Sequence, residues 1–274
     1  MGKRLGDHIG AGLFVAILIL AVLFLVLPVV VAMAMSFDAR SYLGRFPPTG
    51  FSLRWYQSFL NNREYLTGLK TSLVVATVAT VCSTVIGGAA AVFLDRYRFR
   101  GQEALSAFFL SPLVVPAVVM GFALLMFFSL IGVYHGYPRL LGGHIIITLP
   151  YTIRTTLASL VGIRRSLVEA ALSLGATERA AFWEITLPLA RTGVVAGAIF
   201  AFALSLDDVA VSLFLADPFA YTLPVAIIGQ MRATFDLTIA AVSAVLVIAT
   251  VVLIVLLDWL VGLDRVIGLG IYKA

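Results

Sequence analysis

Six apolar stretches, each about as long as a bilayer is thick, constrain this chain more than any other feature. They run over roughly 11–35, 71–94, 104–131, 141–163, 192–214 and 237–262. A helix needs about 20 apolar residues to cross the hydrocarbon core. In lipid, every backbone polar group must be satisfied within the protein. The sequence therefore predicts an all-α integral membrane protein with six spanning helices. Composition agrees: 61% of residues are hydrophobic and 12% charged, against about 25% charged in soluble domains. The net charge of +5 sits mostly in loop Lys and Arg, where it is a topological signal. There is no basic and aromatic cluster of a nucleic-acid-binding kind.

Lys3-Arg4, the triplet Arg96, Arg98 and Arg100, and the group Arg164, Arg165, Arg179 and Arg191 alternate onto one side of the six spans. The positive-inside rule makes that side the cytoplasm and puts both termini there. The opposite region, 38–70, carries Arg40, Arg45, Arg54, Arg63 and Lys70. It is long and partly folded, where the bias counts less. The first apolar run, 10–37, far exceeds the 7–15 residues of a signal-peptide core and is read as a retained span.

Residues 52–66 predict a short interfacial helix that Ser52 caps. Trp55 and Phe59 share a side at i, i+4, where they would anchor the chain at the headgroup level. Pro47-Pro48 leads into it as extended chain. Residues 215–236, interrupted by Asp217-Pro218 and Leu223-Pro224, form an outer loop or a partly re-entrant element. The small residues from Gly87 to Ala91 let helices approach closely. Pro112 and Pro116 kink the third span, either for packing or to line a pathway.

A polar break, RRSLVEAALSLGATERAAFWEITLPLAR, fills residues 164–191 between the fourth and fifth spans. Ser166 and Glu169 have the spacing of a capping box that would start a helix near Leu167. Gly175 suits the residue just past its end. Thr177 can cap a second short helix carrying Glu178, Arg179, Phe182, Trp183 and Ile185. Pro188 then opens the next segment or breaks this one. The product is a knob with exposed aromatics and charges of both signs. It either docks into a partner's groove or lies on the bilayer surface as an amphipathic loop.

Ionisable residues inside spans are functional hypotheses by default. Asp207 and Asp208 lie in the fifth segment, about 22 Å above its cytoplasmic end at ~1.5 Å per residue. Neighbours do not share a helix face, so one can face a pathway while the other meets a helix. Ser205, Asp208 and Ser212 form a stripe, which makes Asp208 the first choice for the pathway. Arg154, in the fourth segment, is expected to be buried. It either serves the substrate or pairs with one of the two aspartates. Asp258 and Asp264 are expected to be solvated near the cytoplasmic end of the last segment. His8, His135 and His144 lack metal-ligand spacing, and Cys82 is a small packed hydrophobe. No metal site, cofactor site, phosphate-binding loop or nucleophile–base pair is expected.

Within the polar break, Glu169-Ala170-Ala171, Gly175, Ile185 and Leu187-Pro188 match, position for position, the EAA signature of binding-protein-dependent ABC importer permeases. The chain resembles that family. The segments LRWYQSFLNN, KTSLVVATVAT, LSPLVVPAVVMG, LPYTIRTTLASL and SLDDVAVSLF extend the resemblance over nearly the whole chain, toward the second permease subunit of spermidine/putrescine importers. One departure is that LVEAA lacks the extra acidic residue that relatives often carry before the signature.

The resemblance implies a six-helix type I importer permease fold. It implies one permease domain over 1–274, with 164–191 as the cytoplasmic coupling loop, in the inner membrane of a bacterium. The implied partners are a second, homologous permease, two ATPase subunits that bind ATP and Mg, a periplasmic substrate-binding protein, and membrane lipid. Glu169, Ala170, Ala171, Gly175, Trp183, Ile185, Leu187 and Pro188 would meet the ATPase. Ser205, Asp207, Asp208, Ser212 and Arg154 are the pathway candidates. The implied cargo is a polyamine or related organic cation. Alternatives are another small solute, such as an opine, an aminoalkylphosphonate or an inorganic anion, or a self-sufficient secondary transporter. A membrane assembly protein is the third class.

Overall fold

The structure, a computed structural model, describes residues 2–42, 44–233 and 236–261. Side chains of 2–9, 11, 254 and 256–261 lie outside the description. The expectations for Asp264 and for the side chains of Lys3, Arg4, His8 and Asp258 therefore fall outside the described residues. The helices, in chain order, are α1 (Gly2–Met35), α2 (Arg54–Asn61), α3 (Arg63–Arg96), α4 (Gln102–Leu110), α5 (Ala117–Leu130) and α6 (Gly136–Val161). They continue with α7 (Arg165–Ser173), α8 (Glu178–Ala181), α9 (Leu187–Asp207), α10 (Ala210–Leu215), α11 (Leu223–Ala233) and α12 (Thr238–Val261). No strand is present among the described residues. The chain forms two compact units, one of residues up to 63 with 229–249, the other of 64–228 with the described residues beyond 249.

Each expected span finds its helix, with two corrections. The third is not kinked but broken: α4 and α5 meet at 106°. Pro116 supplies no N–H and is non-helical, with ψ 133°, and the residue before a proline disfavours helix. The fifth stops at Asp207 and restarts at Ala210. Asp208 is extended, with ψ 126°, and its carboxylate accepts the N–H groups of Val211 (3.4 Å) and Ser212 (2.8 Å). An aspartate that caps a new helix start competes with continuing the old one.

In the first unit, α2 departs from its expected role. Trp55 and Phe59 do share a face, but that face is buried against protein. Trp55 packs with Met35, Leu237 and Ala241, and its indole N–H donates to the Asp38 carbonyl at 2.8 Å. A buried indole needs such a partner. Asp38 in turn hydrogen-bonds and pairs with Arg40, which holds its carboxyl below the usual carboxylate range.

In the second unit, α6 lies between α3 and α9 at very close range. A Cβ added at Gly87 of α3 would overlap the Thr152 hydroxyl of α6 and lie 3.3 Å from the Ile153 nitrogen. On the other side, a Cβ at Gly197 of α9 would lie 2.9 Å from the Thr152 Cα, and one at Gly193 would overlap Ser159 and the Thr155 carbonyl. The sequence GVVAG is thus a small-xxx-small contact of the kind that lets membrane helices touch backbones. Hydroxyls tie the same seam: Thr152 donates to the Ser83 carbonyl at 2.8 Å and Ser159 to the Ala190 carbonyl at 3.3 Å. A separate apolar cluster joins Val75, Leu124, Phe128, Leu140, Val211 and Leu215.

The 215–236 stretch is anchored into protein. Leu223 is fully buried, and its N–H donates to Ser72 of α3 at 2.8 Å. Asp217 accepts the Gly136 N–H at 2.6 Å and so caps the start of α6 from 81 residues away. It also accepts from Phe219 and Ala220.

Candidate functional site

The 164–191 region is built largely by backbone capping. α7 begins at Arg165 with no side-chain cap, so the expected Ser166–Glu169 capping box does not form. The helix starts two residues earlier than that box requires, which leaves Ser166 inside the first turn. The end of α7 is as expected. Gly175 has φ +91°, the left-handed region where a side chain is strained. Its N–H donates to the Leu172 carbonyl and that of Ala176 to the Ala171 carbonyl, both at 3.0 Å. These two bonds are a Schellman motif. The four-residue interval from Ala171 to Gly175 is the interval that this motif demands, so the signature's spacing has a local physical cause.

Thr177 caps the next helix, accepting the Ala180 N–H at 3.2 Å. That helix is not a separate short one. From Glu178 to Asp207 the chain is one helical run of 30 residues, with a π turn over Phe182–Thr186. The Leu187 N–H reaches back to Phe182, and Pro188 follows. Proline lacks a donor and crowds the carbonyl four residues back. The wider turn lets the helix absorb Pro188 instead of breaking there. Glu169, Ala170, Gly175 and Trp183 are exposed, as is Pro188; Ala171, Ile185 and Leu187 are half-buried. Trp183 stacks edge-on against Phe182 at 5.4 Å. Glu178 pairs with Arg96 of α3 at 2.9 Å. Both are exposed, and such pairs contribute about 0–1 kcal/mol.

The second polar assembly lies at the break between α9 and α10. Its centre is His144 of α6, which is fully buried. Its Nδ1 lies 2.7 Å from Ser205 Oγ and its Nε2 lies 3.0 Å from Ser212 Oγ. Ser212 Oγ donates to Asp208 Oδ2 at 3.0 Å, and that oxygen lies 4.0 Å from Nε2. One proton arrangement satisfies all of these contacts. Ser205 donates to Nδ1, Nε2–H donates to Ser212, and Ser212 donates to the Asp208 carboxylate. Ser205, Asp208 and Ser212 thus come together around His144, not as a stripe on one continuous helix, because the helix is broken between Asp207 and Ala210. The available signal was a histidine within an apolar span, which the rule for intramembrane ionisable residues covers.

The two aspartates divide their tasks. Asp208 meets the neighbouring helix α6 at His144, and Asp207 is exposed. Asp208 is drawn inward because it caps α10. Arg154 is exposed rather than buried. The buried face of α6 runs through Thr148, Thr152, Thr156 and Leu160, and two residues on from Thr152 points to the opposite side at 3.6 residues per turn. Among the described residues, no ion pair joins Arg154 to Asp207 or Asp208.

The relatives of this chain are transport permease subunits and not enzymes. The chain belongs to the family of binding-protein-dependent transport system inner membrane components, which matches residues 83–263. It is thus a membrane-spanning ABC importer permease. It is 32% identical over 247 residues to the spermidine/putrescine transport system permease protein PotC of Shigella flexneri, covering 90% of this chain and 92% of that one. It is 31% identical over 252 residues to the putrescine transport system permease protein PotI of Escherichia coli, covering 89% of each. Its fold also matches a bacterial alginate ABC transporter solved in complex with an alginate pentasaccharide-bound periplasmic protein, with a TM-score of 0.71 at 16% identity over 95% of each chain.

Proposed function

We propose that this chain is one transmembrane half of an ATP-driven importer of polyamines or a related organic cation in a bacterial inner membrane. The whole chain serves as one permease domain, with both termini and the 164–191 loop in the cytoplasm. A second, homologous permease completes the pathway. Two ATPase subunits carry ATP and Mg and dock on the coupling loops, while this chain binds neither. A periplasmic binding protein delivers the cargo. Closure of the ATPase dimer draws the loops together and turns the permeases outward as rigid bodies.

The observation that supports the coupling role is the loop's exposed face on a frame capped at the turn between its two helices. The Schellman turn at Gly175 and the Thr177 cap hold Glu169 and Trp183 outward without using them. The cargo assignment rests on the two polyamine-permease relatives and on Asp207. A carboxylate exposed on a spanning helix attracts a cation and repels an anion. Uptake of labelled putrescine and spermidine by the reconstituted complex, beside a neutral and an anionic solute, tests it. Polyamine uptake is expected. Uptake of the anion alone contradicts the assignment.

A further inference from the structure

We propose that a groove beside the coupling loop seats a phospholipid with an anionic headgroup. The groove has a volume of 590 Å³ and runs between α3, α6 and α9. Its walls are Val85, Ala89 and Val92 of α3, Leu160 of α6, and Ala190 and Val194 of α9. At one end stand Arg96, Tyr97 and Trp183. The groove is therefore apolar along its length and cationic and aromatic at one end.

That polarity fits a lipid better than a protein helix. From Thr84 to Tyr97, α3 advances roughly 20 Å at ~1.5 Å per residue. This is about one leaflet of a ~30 Å hydrocarbon core plus its headgroup edge. The α3 helix ends at Arg96, with Arg98 and Arg100 just beyond, so the cationic end lies where the span meets water. Tyr and Trp favour that level. Arg96 spends part of its guanidinium on Glu178 but has five N–H donors, and its side chain is 40% exposed. It can therefore hold a phosphate as well.

The protein leaves room in this groove. A Cβ added at Gly88 meets nothing within 4 Å, whereas its neighbour Gly87 is pressed against Thr152. An acyl chain laid along Gly88 would place its headgroup against Trp183, on the helical turn that leads out of the coupling loop.

The test uses the full-length chain in the complex in which it purifies. Phosphatidylglycerol and phosphatidylcholine with identical acyl chains, one bearing a photoactivatable group, are added in turn and the cross-linked peptides mapped. Phosphatidylglycerol is expected to label residues 84–97 about fivefold more than phosphatidylcholine, the factor of one Arg acting on an anionic lipid. Gly88→Leu should fill the groove and abolish labelling there by both lipids. Arg96→Gln should leave labelling but equalise the two. Equal labelling in the unmodified protein, or undiminished labelling in Gly88→Leu, overturns the proposal. So does absence of label at 84–97, the result if another subunit fills the groove. None of these readouts depends on the transported cargo.

Discussion

The coupling loop and the His144 cluster are both polar breaks in an apolar chain, and they treat their side chains in opposite ways. In the loop, backbone groups satisfy one another through the Schellman bonds of Ala171, Leu172, Gly175 and Ala176. Side chains such as Glu169 and Trp183 are left facing outward. In the cluster, the side chains are consumed. Ser205, His144, Ser212 and Asp208 bond in series, and the aspartate also holds the start of α10. A loop built that way can hand force to a partner, and a cluster built that way holds one helix break in place. The comparison supports the coupling role proposed for the first region and gives the second an internal bracing role.

The largest expected effect is on the cluster. His144→Ala leaves two buried hydroxyls short of a partner and the Asp208 carboxylate without its nearest imidazole. Loss of such partners costs about 3 kcal/mol, to be seen as a clear drop in the thermal unfolding temperature of the purified chain. Asp208→Asn should also destabilise, whereas Asp207→Asn, at an exposed site, should stay within about 0.5 kcal/mol yet slow cation uptake. If Asp207→Asn unfolds the protein and Asp208→Asn does not, the division between the two aspartates is reversed.

Next in size is Gly175→Val. A β-branched residue at φ +91° is strained by about 1–3 kcal/mol. The Schellman turn should open and ATPase stimulation by the liganded binding protein should fall. Gly175→Asn should retain more stimulation, because asparagine tolerates the left-handed region. Equal loss in both variants would mean that space at the site matters, not backbone conformation.

The pattern of what was legible in the chain follows the same divide. The loop could be anticipated from Gly175, Thr177 and the signature spacing because capping acts between residues a few positions apart. The capping box at Ser166 does not form because the helix starts two residues early. Pro188 does open α9, but a π turn before it keeps the helix continuous, so the expected second helix merges into α9. The cluster depends on contacts between residues 61 and 68 positions apart. No spacing rule sees those, although the lone histidine was a cue. Arg154 and Trp55 were misjudged likewise, since the side a helix turns to its neighbours is set by packing. For Arg154 the deciding packing is the glycine seam that α3 and α9 press against α6.

The smallest expected effect lies outside both regions, at Asp217. Burial pushes its carboxyl up, but hydrogen bonds from Phe219, Gly136 and Ala220 and the charge of His135 outweigh burial and hold it below the usual range. A folded-state value below the unfolded value of about 3.9 means that the carboxylate contributes stability above that pH. The contribution is lost as pH falls from about 4 through the folded value. Unfolding between roughly pH 3 and pH 5 should show this slope, and Asp217→Asn should flatten it. An unchanged slope would separate the Gly136 cap from acid sensitivity.

The most direct test of the comparison is Glu169→Lys, with two readouts on one preparation. The reconstituted complex is assayed for ATP hydrolysis with and without liganded binding protein, and the unfolding temperature of the same protein is recorded. The account predicts that stimulation is lost while the unfolding temperature stays where it was, because Glu169 faces outward on a loop held by its own backbone. Full stimulation in Glu169→Lys, or loss of stimulation accompanied by unfolding, would contradict it.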